Sequence, residues 1–248
     1  MRNIWTIAKR EYKQYFESPI AYIVAFMLLV VLGIFFALSI VFYAGNAYLS
    51  NGVAPDVGIV TEPFAFLLVF SLPALTMRLL ADEQRMGTME LLLTAPVRDW
   101  ELVVGKWLGS FLFMLTVIAI TLIFPLILSM LVDPGIDLGR TFTAYLGIIL
   151  VTGAFLSTGV GISALFNNQI TAFFATLAIF VVLWWMIGFP AAVFPASANV
   201  FRYLDMKTHF YNSMNVGILN LSDLVYFLSL TALGLFIGSA SVETRRWR

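Results

Sequence analysis

Six long apolar segments, separated by shorter polar ones, dominate the pattern of hydrophobic and polar positions along the chain. A helix that crosses a bilayer needs about 20 mostly apolar residues. By that criterion the sequence predicts spans at residues 20–43, 63–80, 103–132, 141–166, 170–194 and 224–242. The pattern therefore predicts an all-α polytopic membrane protein, with one transmembrane domain over residues 1–248.

The first 19 residues have a different pattern, in which apolar and basic side chains share helical spacing. Such a helix has one apolar and one basic face and lies in the membrane interface. Ser18 and Pro19 end it before the first span. We expect an amphipathic helix here, which either only anchors the chain or also contacts a soluble partner.

The stretch "LLADEQRMGTMELLLTAPVRDWELVVGK", from Leu79 to Lys106, gathers charges of both signs between the second and third spans. A connection between two antiparallel spans typically needs only about 2 to 8 residues. Mixed charges beside adaptable methionine and leucine side chains suit docking to a soluble protein. We interpret residues 81–102 as a docking region, and the alternative is a solvated interfacial loop.

The segment 195–223 mixes aromatic residues with charged ones, so it is too polar to span a membrane and too apolar to float in water. We expect short helices tucked against the membrane surface before the sixth span.

The distribution of basic residues predicts the orientation. With six spans both termini lie on the same side of the membrane, and 11 of the 14 Lys and Arg residues flank the spans on that side. Only Arg140, Arg202 and Lys207 lie on the other side. The positive-inside rule then predicts that both termini and residues 81–102 are cytoplasmic.

The composition excludes several kinds of chemistry. The chain has no cysteine, which excludes disulfides and thiolate sites, and its single histidine cannot build a His-rich metal site. No ionisable residue lies deep in a predicted span, which disfavours a proton-relay transporter. The run "VVGKW" at 103–107 lacks the first glycine and the hydroxyl residue of a phosphate-binding loop. Zero net charge gives no indication of nucleic-acid binding, and Ser163 and His209 fall on opposite predicted sides, which disfavours a serine protease.

Gly153, Ser157 and Gly161 recur every fourth residue in the fourth predicted span. Small residues at this spacing let another helix approach closely. The overlapping run "GVGISA" also matches the dinucleotide fingerprint G-x-G-x-x-A, but no strand precedes it and no acidic residue follows about 20 residues on. We therefore interpret these residues as a helix-packing face.

The run "PALTMRLLADEQRMGTMELLLTAPVRDWELVVGKW", from Pro73 to Trp107, resembles the signature region of ABC-2 type transporter permeases. In that family a span ends in R-x-x-A-D/E-E and is followed by G-T-x-E-L-L-L-T-x-P and W-x-x-V-x-G-K. The terminal runs "KREYKQYFESPIAYIV" and "DLVYFLSLTALGLF…ETRRW" are similar to the branch that contains the gliding-motility permease GldF. The resemblance covers essentially the whole chain.

The resemblance implies a type V exporter fold in a bacterial inner membrane, with an elbow helix, six spans, a coupling helix between spans 2 and 3, and external helices before span 6. It implies docking of a separate ATP-binding cassette subunit, which would hold ATP and Mg, while this chain binds no cofactor and catalyses no reaction. The docking residues implied are Glu83, Arg85, Gly87, Thr88, Glu90 and Leu91, with a smaller contact at the turn that contains Asn167, Asn168 and Gln169.

Further partners follow from the same resemblance: a second permease, identical or related to this chain, a GldG-like auxiliary protein, and membrane lipids. Export or remodelling of a hydrophobic or amphipathic substrate is the implied function. Two alternatives stay open at this point. A non-transporting ABC-type regulatory complex would have the same sequence features, and a six-span carrier or channel would need no ATPase.

Overall fold

The computed structural model of the protein describes residues 2–45, 55–85, 98–133, 135–194 and 197–246. These residues are mostly helical and include no strand, and six of their helices are long and apolar enough to cross a membrane. The predicted class, an all-α polytopic membrane protein, is confirmed. The six spans are span 1 (Pro19–Gly45), span 2 (Gly58–Glu83), span 3 (Asp99–Leu131), span 4 (Leu138–Ser163), span 5 (Gln169–Val193) and span 6 (Leu221–Thr244).

Short helices lie outside the spans at both ends of the bundle. The N-terminal helix is Arg2–Glu17, and the helix Ala81–Arg85 follows a turn at residues 77–80 in the last part of span 2. Before span 6 the chain forms the helical pieces Ala198–Leu204, Met206–Tyr211 and Met214–Val216, so the segment contains the short helices that its pattern predicts. We call the end of the bundle that carries the N-terminal helix the near end, and the opposite one the far end.

Span 4 is the centre of the bundle. In its most apolar window 78% of the residues are buried, against 17% in span 1, which leaves most of span 1 open to a membrane or to another protein. Phe155 of span 4 stacks on Phe180 of span 5 with ring centroids 4.2 Å apart, and the ring of Trp184 lies 5.8 Å from that of Phe155. The core thus forms around span 4, because its small and aromatic residues admit neighbours on several sides.

Glycines let spans 4 and 6 touch through their backbones. A Cβ atom on Gly161 would lie 2.6 Å from the carbonyl oxygen of Gly234, and one on Gly234 would lie 2.5 Å from the carbonyl carbon of Ser157. Gly153 faces a different neighbour, since Trp107 of span 3 donates a hydrogen bond to its carbonyl oxygen at 3.0 Å. The packing face indicated by the sequence therefore serves two helices, span 6 at its near-end half and span 3 at Gly153.

Polar contacts clamp the far end. Asn215, in the piece before span 6, donates to Glu62 of span 2 at 3.0 Å, and Arg140 of span 4 donates to the Asn215 carbonyl at 2.9 Å. Arg140 also pairs with Asp56 at 2.6 Å. The helix of span 2 begins at Gly58 and not at residue 63, where the sequence placed it, so Glu62 lies inside the helix and its carboxylate is bound by Asn215.

His209 belongs to a second far-end cluster. Its Nδ1 lies 2.6 Å from a carboxylate oxygen of Asp223, its Nε2 lies 2.7 Å from the carbonyl oxygen of Tyr203, and Ser213 donates to the other Asp223 oxygen. These contacts fix the short helices on the start of span 6. Ser163 is at the opposite end of the bundle, so no serine–histidine pair forms between them.

The glycine contact generates a stability prediction. Substituting Gly161→Ala or Gly234→Ala should destabilise the protein by about 1–3 kcal/mol, because the added methyl meets backbone atoms that cannot rotate away. The measurement is the thermal unfolding midpoint of the purified chain in detergent. Gly33→Ala in span 1 is the control, since its nearest neighbour would be 3.9 Å away. Equal midpoints for all three variants would contradict the close contact.

Candidate functional site

Span 2 is interrupted at its near end, and a serine from span 4 fills the interruption. The turn at residues 77–80 leaves backbone groups without their usual partners in a continuous helix. The Ser163 hydroxyl accepts from the N–H groups of Leu80 and Ala81 at 3.3 and 3.1 Å, and it donates to the carbonyl of Met77 at 3.3 Å. Ser163 is fully buried, so its three hydrogen bonds lock the end of span 4 to the turn in span 2.

Lys106 joins three segments that are far apart in sequence. Its Nζ lies 2.8 Å from Glu11 of the N-terminal helix and 2.7 Å from Glu83 of the helix Ala81–Arg85. The exposed fractions of the Lys106, Glu11 and Glu83 side chains are only 4%, 10% and 15%. Buried charges persist when they are paired and hydrogen-bonded, and here one ammonium group is shared by two carboxylates.

The N-terminal helix reaches this ion cluster because span 3 offers it a flat surface. Gly105 and Gly109 face the helix, and a Cβ atom on Gly109 would lie 2.5 Å from the Cβ of Glu11. Along the same contact Asn3 donates to Glu101 at 3.2 Å, and the Tyr12 hydroxyl lies 3.1 Å from that of Thr116. The amphipathic helix is therefore packed on span 3, in addition to any contact that it makes with a membrane.

Tyr15 completes the attachment of the N-terminal helix to span 2. Its hydroxyl donates to the carbonyl oxygen of Leu75 at 3.2 Å, and its ring stacks on Phe113 at 4.9 Å. Burial, and then the nearby Glu11 carboxylate, raise the pKa of Tyr15 well above its ordinary value. The hydroxyl therefore keeps its proton and remains a hydrogen-bond donor.

We call this set of contacts the near-end junction; it consists of Glu11, Met77, Leu80, Ala81, Glu83, Lys106 and Ser163. It ties spans 2, 3 and 4 and the N-terminal helix to the five-residue helix Ala81–Arg85. The same short helix also contacts the start of span 5. A displacement of the short helix would thus act on several spans at once.

The structure places the predicted docking residues in three groups. Glu83 lies inside the near-end junction, and the backbone of Arg85 ends the short helix. Gly87, Thr88, Glu90 and Leu91 lie outside the described residues. Asn167 and Asn168 are exposed and Gln169 is half-buried at the turn between spans 4 and 5, where the Asn168 side chain accepts from the N–H of Ile170 at 2.8 Å.

The pairings of the junction were missed by the sequence interpretation. Lys106 was counted there as the last charge of the stretch between spans 2 and 3, Glu11 was part of the polar face of the N-terminal helix, and Ser163 was considered only as a nucleophile. One signal was available, because Gly105 and Gly109 form a small-xxx-small pair around Lys106. That spacing indicates that a helix packs over this lysine.

The described residues contain no group of three or more His, Cys, Asp or Glu side chains arranged to hold a metal ion. Several of their titratable groups join helices to each other, as in the Lys106 cluster at the near end and the Arg140 pair at the far end. This arrangement can transmit a displacement of the near-end surface to the spans.

Fold and site together define a multi-pass membrane protein with a buried ion cluster at the near end of its bundle. The sequence model of a known family, described as ABC-2 family transporter protein, matches residues 5–239. The chain therefore belongs to the ABC-2 transporter family. Members are membrane permease components and not themselves the ATPase, and membership implies an ATP-binding cassette subunit as partner. Comparison with curated proteins gave no match.

The ion cluster generates a second prediction. Lys106→Met should lower the free energy of unfolding by about 3–5 kcal/mol, because it leaves two buried carboxylates without a counter-charge. Adding Glu83→Gln to that variant should restore part of the loss. Lys13→Met, on the exposed face of the N-terminal helix, is the control and should change little. The measurement is the unfolding midpoint in detergent, and an unchanged midpoint for Lys106→Met would refute the role given to the cluster.

The serine bridge generates a third prediction. Ser163→Ala should cost about 1–3 kcal/mol, because buried N–H groups lose their acceptor. The local effect should be faster amide hydrogen exchange in peptides that cover residues 77–85. Ser239→Ala is the matched control, since that hydroxyl only donates to Leu235 within its own helix at 2.8 Å. Exchange at residues 77–85 that is the same in both variants would show that the bridge is not needed there.

Proposed function

We propose that the chain is the transmembrane permease subunit of an ABC transporter of the type V exporter kind, in a bacterial inner membrane with both termini cytoplasmic. A separate subunit would bind ATP and Mg and hydrolyse ATP. That energy would drive export, or membrane remodelling, of a hydrophobic or amphipathic substrate. Family membership supports the permease role, and the excess of basic residues at the near end supports the orientation.

The observation that carries this proposal is the near-end junction. The helix Ala81–Arg85 begins the region that the family resemblance assigns to ATPase docking. Through Lys106 it is attached to the N-terminal helix and span 3, and through Ser163 the turn before it is attached to span 4. A partner that moves this helix would therefore move the bundle, which is what coupling requires.

The mechanism follows from these attachments. Two ATPase subunits close on ATP and displace the docking regions of two permeases that face each other across a central path. The spans then alternate between arrangements, and ATP shifts the balance because the closed ATPase pair binds it more tightly. The mostly exposed surface of span 1 supports contact with lipid or with a second permease, identical or related.

Docking is assigned to two sets of residues. The larger comprises Arg85, Gly87, Thr88, Glu90 and Leu91 with Glu83 at its base, and the smaller comprises Asn167, Asn168 and Gln169. The contact between the short helix and the start of span 5 supports their acting together. Glu83 is already bound by Lys106, so we propose that it shapes the surface from within while the residues after it meet the partner.

The GldF-like assignment is a finer part of the proposal. Similarity of the terminal runs to that branch supports it, and a GldG-like auxiliary protein would then join the complex. Neither is required for the coupling role, which depends only on the ATPase contact.

The test is co-purification of this chain with its ATPase subunit from the native host. The variants Glu90→Lys and Asn167→Arg should each weaken association by about tenfold, which corresponds to roughly 1.4 kcal/mol of lost contact energy. The stimulation of ATPase activity by the permease should fall by a similar factor. Asn167 does not belong to the Lys106 cluster, so a loss in that variant would report on docking and not on the ion cluster.

Lys207→Glu is the matched control, because it reverses an exposed charge at the far end. It should leave association and ATPase activity unchanged. Failure of any Walker-motif subunit to co-purify, under several conditions that preserve complexes, would instead favour an ATP-independent six-span carrier or channel.

A further inference from the structure

A cavity of about 430 Å³ opens at the near end, between the N-terminal helix and the adjoining ends of spans 1 and 2. This volume is within the range of about 300–1,000 Å³ that small-molecule pockets occupy. The lipid-side wall is apolar and includes Ala21, Ala74 and Leu75. The other wall is charged and includes Arg78 and Asp82. The cavity is thus amphipathic along the bundle axis.

The order of the residues sets the direction of this polarity. Ala74, Arg78 and Asp82 follow one another at intervals of four residues towards the near end of span 2, and all three line the cavity. The apolar part is therefore the deepest in the membrane, the guanidinium lies at the boundary, and the carboxylate lies furthest out. A phospholipid has the same order of groups: acyl chain, phosphate, then headgroup.

Arg78 is the strongest indication of a ligand. Its Nε is buried and has no hydrogen-bond partner among the residues that the structure describes. A buried donor on a charged group is costly to leave unpaired. A guanidinium matches phosphate oxygens especially well, because two of its N–H groups can donate in parallel. The missing acceptor is therefore best supplied by a phosphate.

The remaining charges of the cavity select the rest of the headgroup. Glu11, Glu83 and Lys106 form the ion cluster on one side, and Arg10 also lines the cavity. That set of four has no net charge. It leaves Arg78 and Asp82, which are not joined by an ion pair in the described part of the chain. A cation that precedes an anion in the direction of the near end matches the order of charges in a zwitterion.

We propose that this cavity binds a phospholipid with an ethanolamine headgroup. Arg78 donates to the phosphate, Asp82 accepts from the primary ammonium, and Ala21, Ala74 and Leu75 contact the first part of an acyl chain. The bound lipid would stand between the N-terminal helix and span 2, beside the near-end junction. None of these five residues is one of the named docking residues, although Asp82 lies on the helix Ala81–Arg85 beside Glu83.

The experiment measures lipid binding to the full chain, purified and delipidated in detergent, by native mass spectrometry. The probes are phosphatidylethanolamine, phosphatidylglycerol and phosphatidylcholine with identical acyl chains, and soluble phosphoethanolamine. We expect phosphatidylethanolamine to bind the wild-type chain most tightly, because its ammonium donates three hydrogen bonds and choline donates none. Soluble phosphoethanolamine should compete poorly, because it lacks the acyl chain that the apolar wall contacts.

Two variants separate the contacts. Arg78→Gln should weaken binding of phosphatidylethanolamine and phosphatidylglycerol alike, by about tenfold, since both offer the same phosphate. Asp82→Asn should weaken only phosphatidylethanolamine, by about fivefold, because the neutral glycerol headgroup does not need the carboxylate. Lys13→Gln removes a charge from an exposed residue that does not line the cavity, and it should leave every affinity within about twofold.

Ala74→Leu fills the apolar wall without changing any charge, and it should weaken all three lipids even if Arg78→Gln fails to fold. The proposal is overturned if Lys13→Gln and Arg78→Gln have equal effects, or if Asp82→Asn affects the two lipids equally. It is also overturned if soluble phosphoethanolamine binds as tightly as the lipid, which would indicate a site for a free phosphate compound. The assay contains no ATPase, so its outcome is separate from that of the proposed coupling.

Discussion

A single ammonium group, that of Lys106, holds together segments that the sequence separates by more than 90 residues. Its burial with Glu11 and Glu83 constrains the surrounding structure, because removing Lys106 would leave two carboxylates without a counter-charge in a place that water barely reaches. The N-terminal helix must lie on span 3, and the helix Ala81–Arg85 must lie close to both. The near end of the bundle is therefore one mechanical unit and not a set of loops.

Close backbone contacts give that unit a rigid support. Span 4 touches span 6 at Gly161 and Gly234, and span 3 touches the N-terminal helix at Gly109. Lipid provides no hydrophobic drive between helices, so association depends on such packing and on polar contacts between helices. Ser163 joins the two kinds of contact, since it ends span 4 and bonds the turn in span 2. A movement at the surface would be carried by whole helices.

The apolar segments of this protein could be predicted from its sequence, and most of its polar contacts could not. The six spans and the N-terminal helix follow from runs of apolar residues and from helical spacing, which are local properties. The sequence placed the start of span 2 too late, at residue 63, because the charged Glu62 marks the limit of the apolar segment. In the structure Glu62 lies inside the helix, and Asn215 donates to its carboxylate. The ion pair between Glu83 and Lys106 was not anticipated, because the two residues lie on different helices.

The sequence by itself determined the class of the protein, its number of spans and its family, because apolar length and local motifs need no knowledge of neighbours. Only the tertiary structure decided that Lys106 pairs with Glu11 and Glu83, that Ser163 bridges the turn in span 2, and that Arg78 faces a cavity. Each of these facts joins residues that are distant along the chain. Their meeting depends on how the helices pack, which periodicity within one helix does not specify.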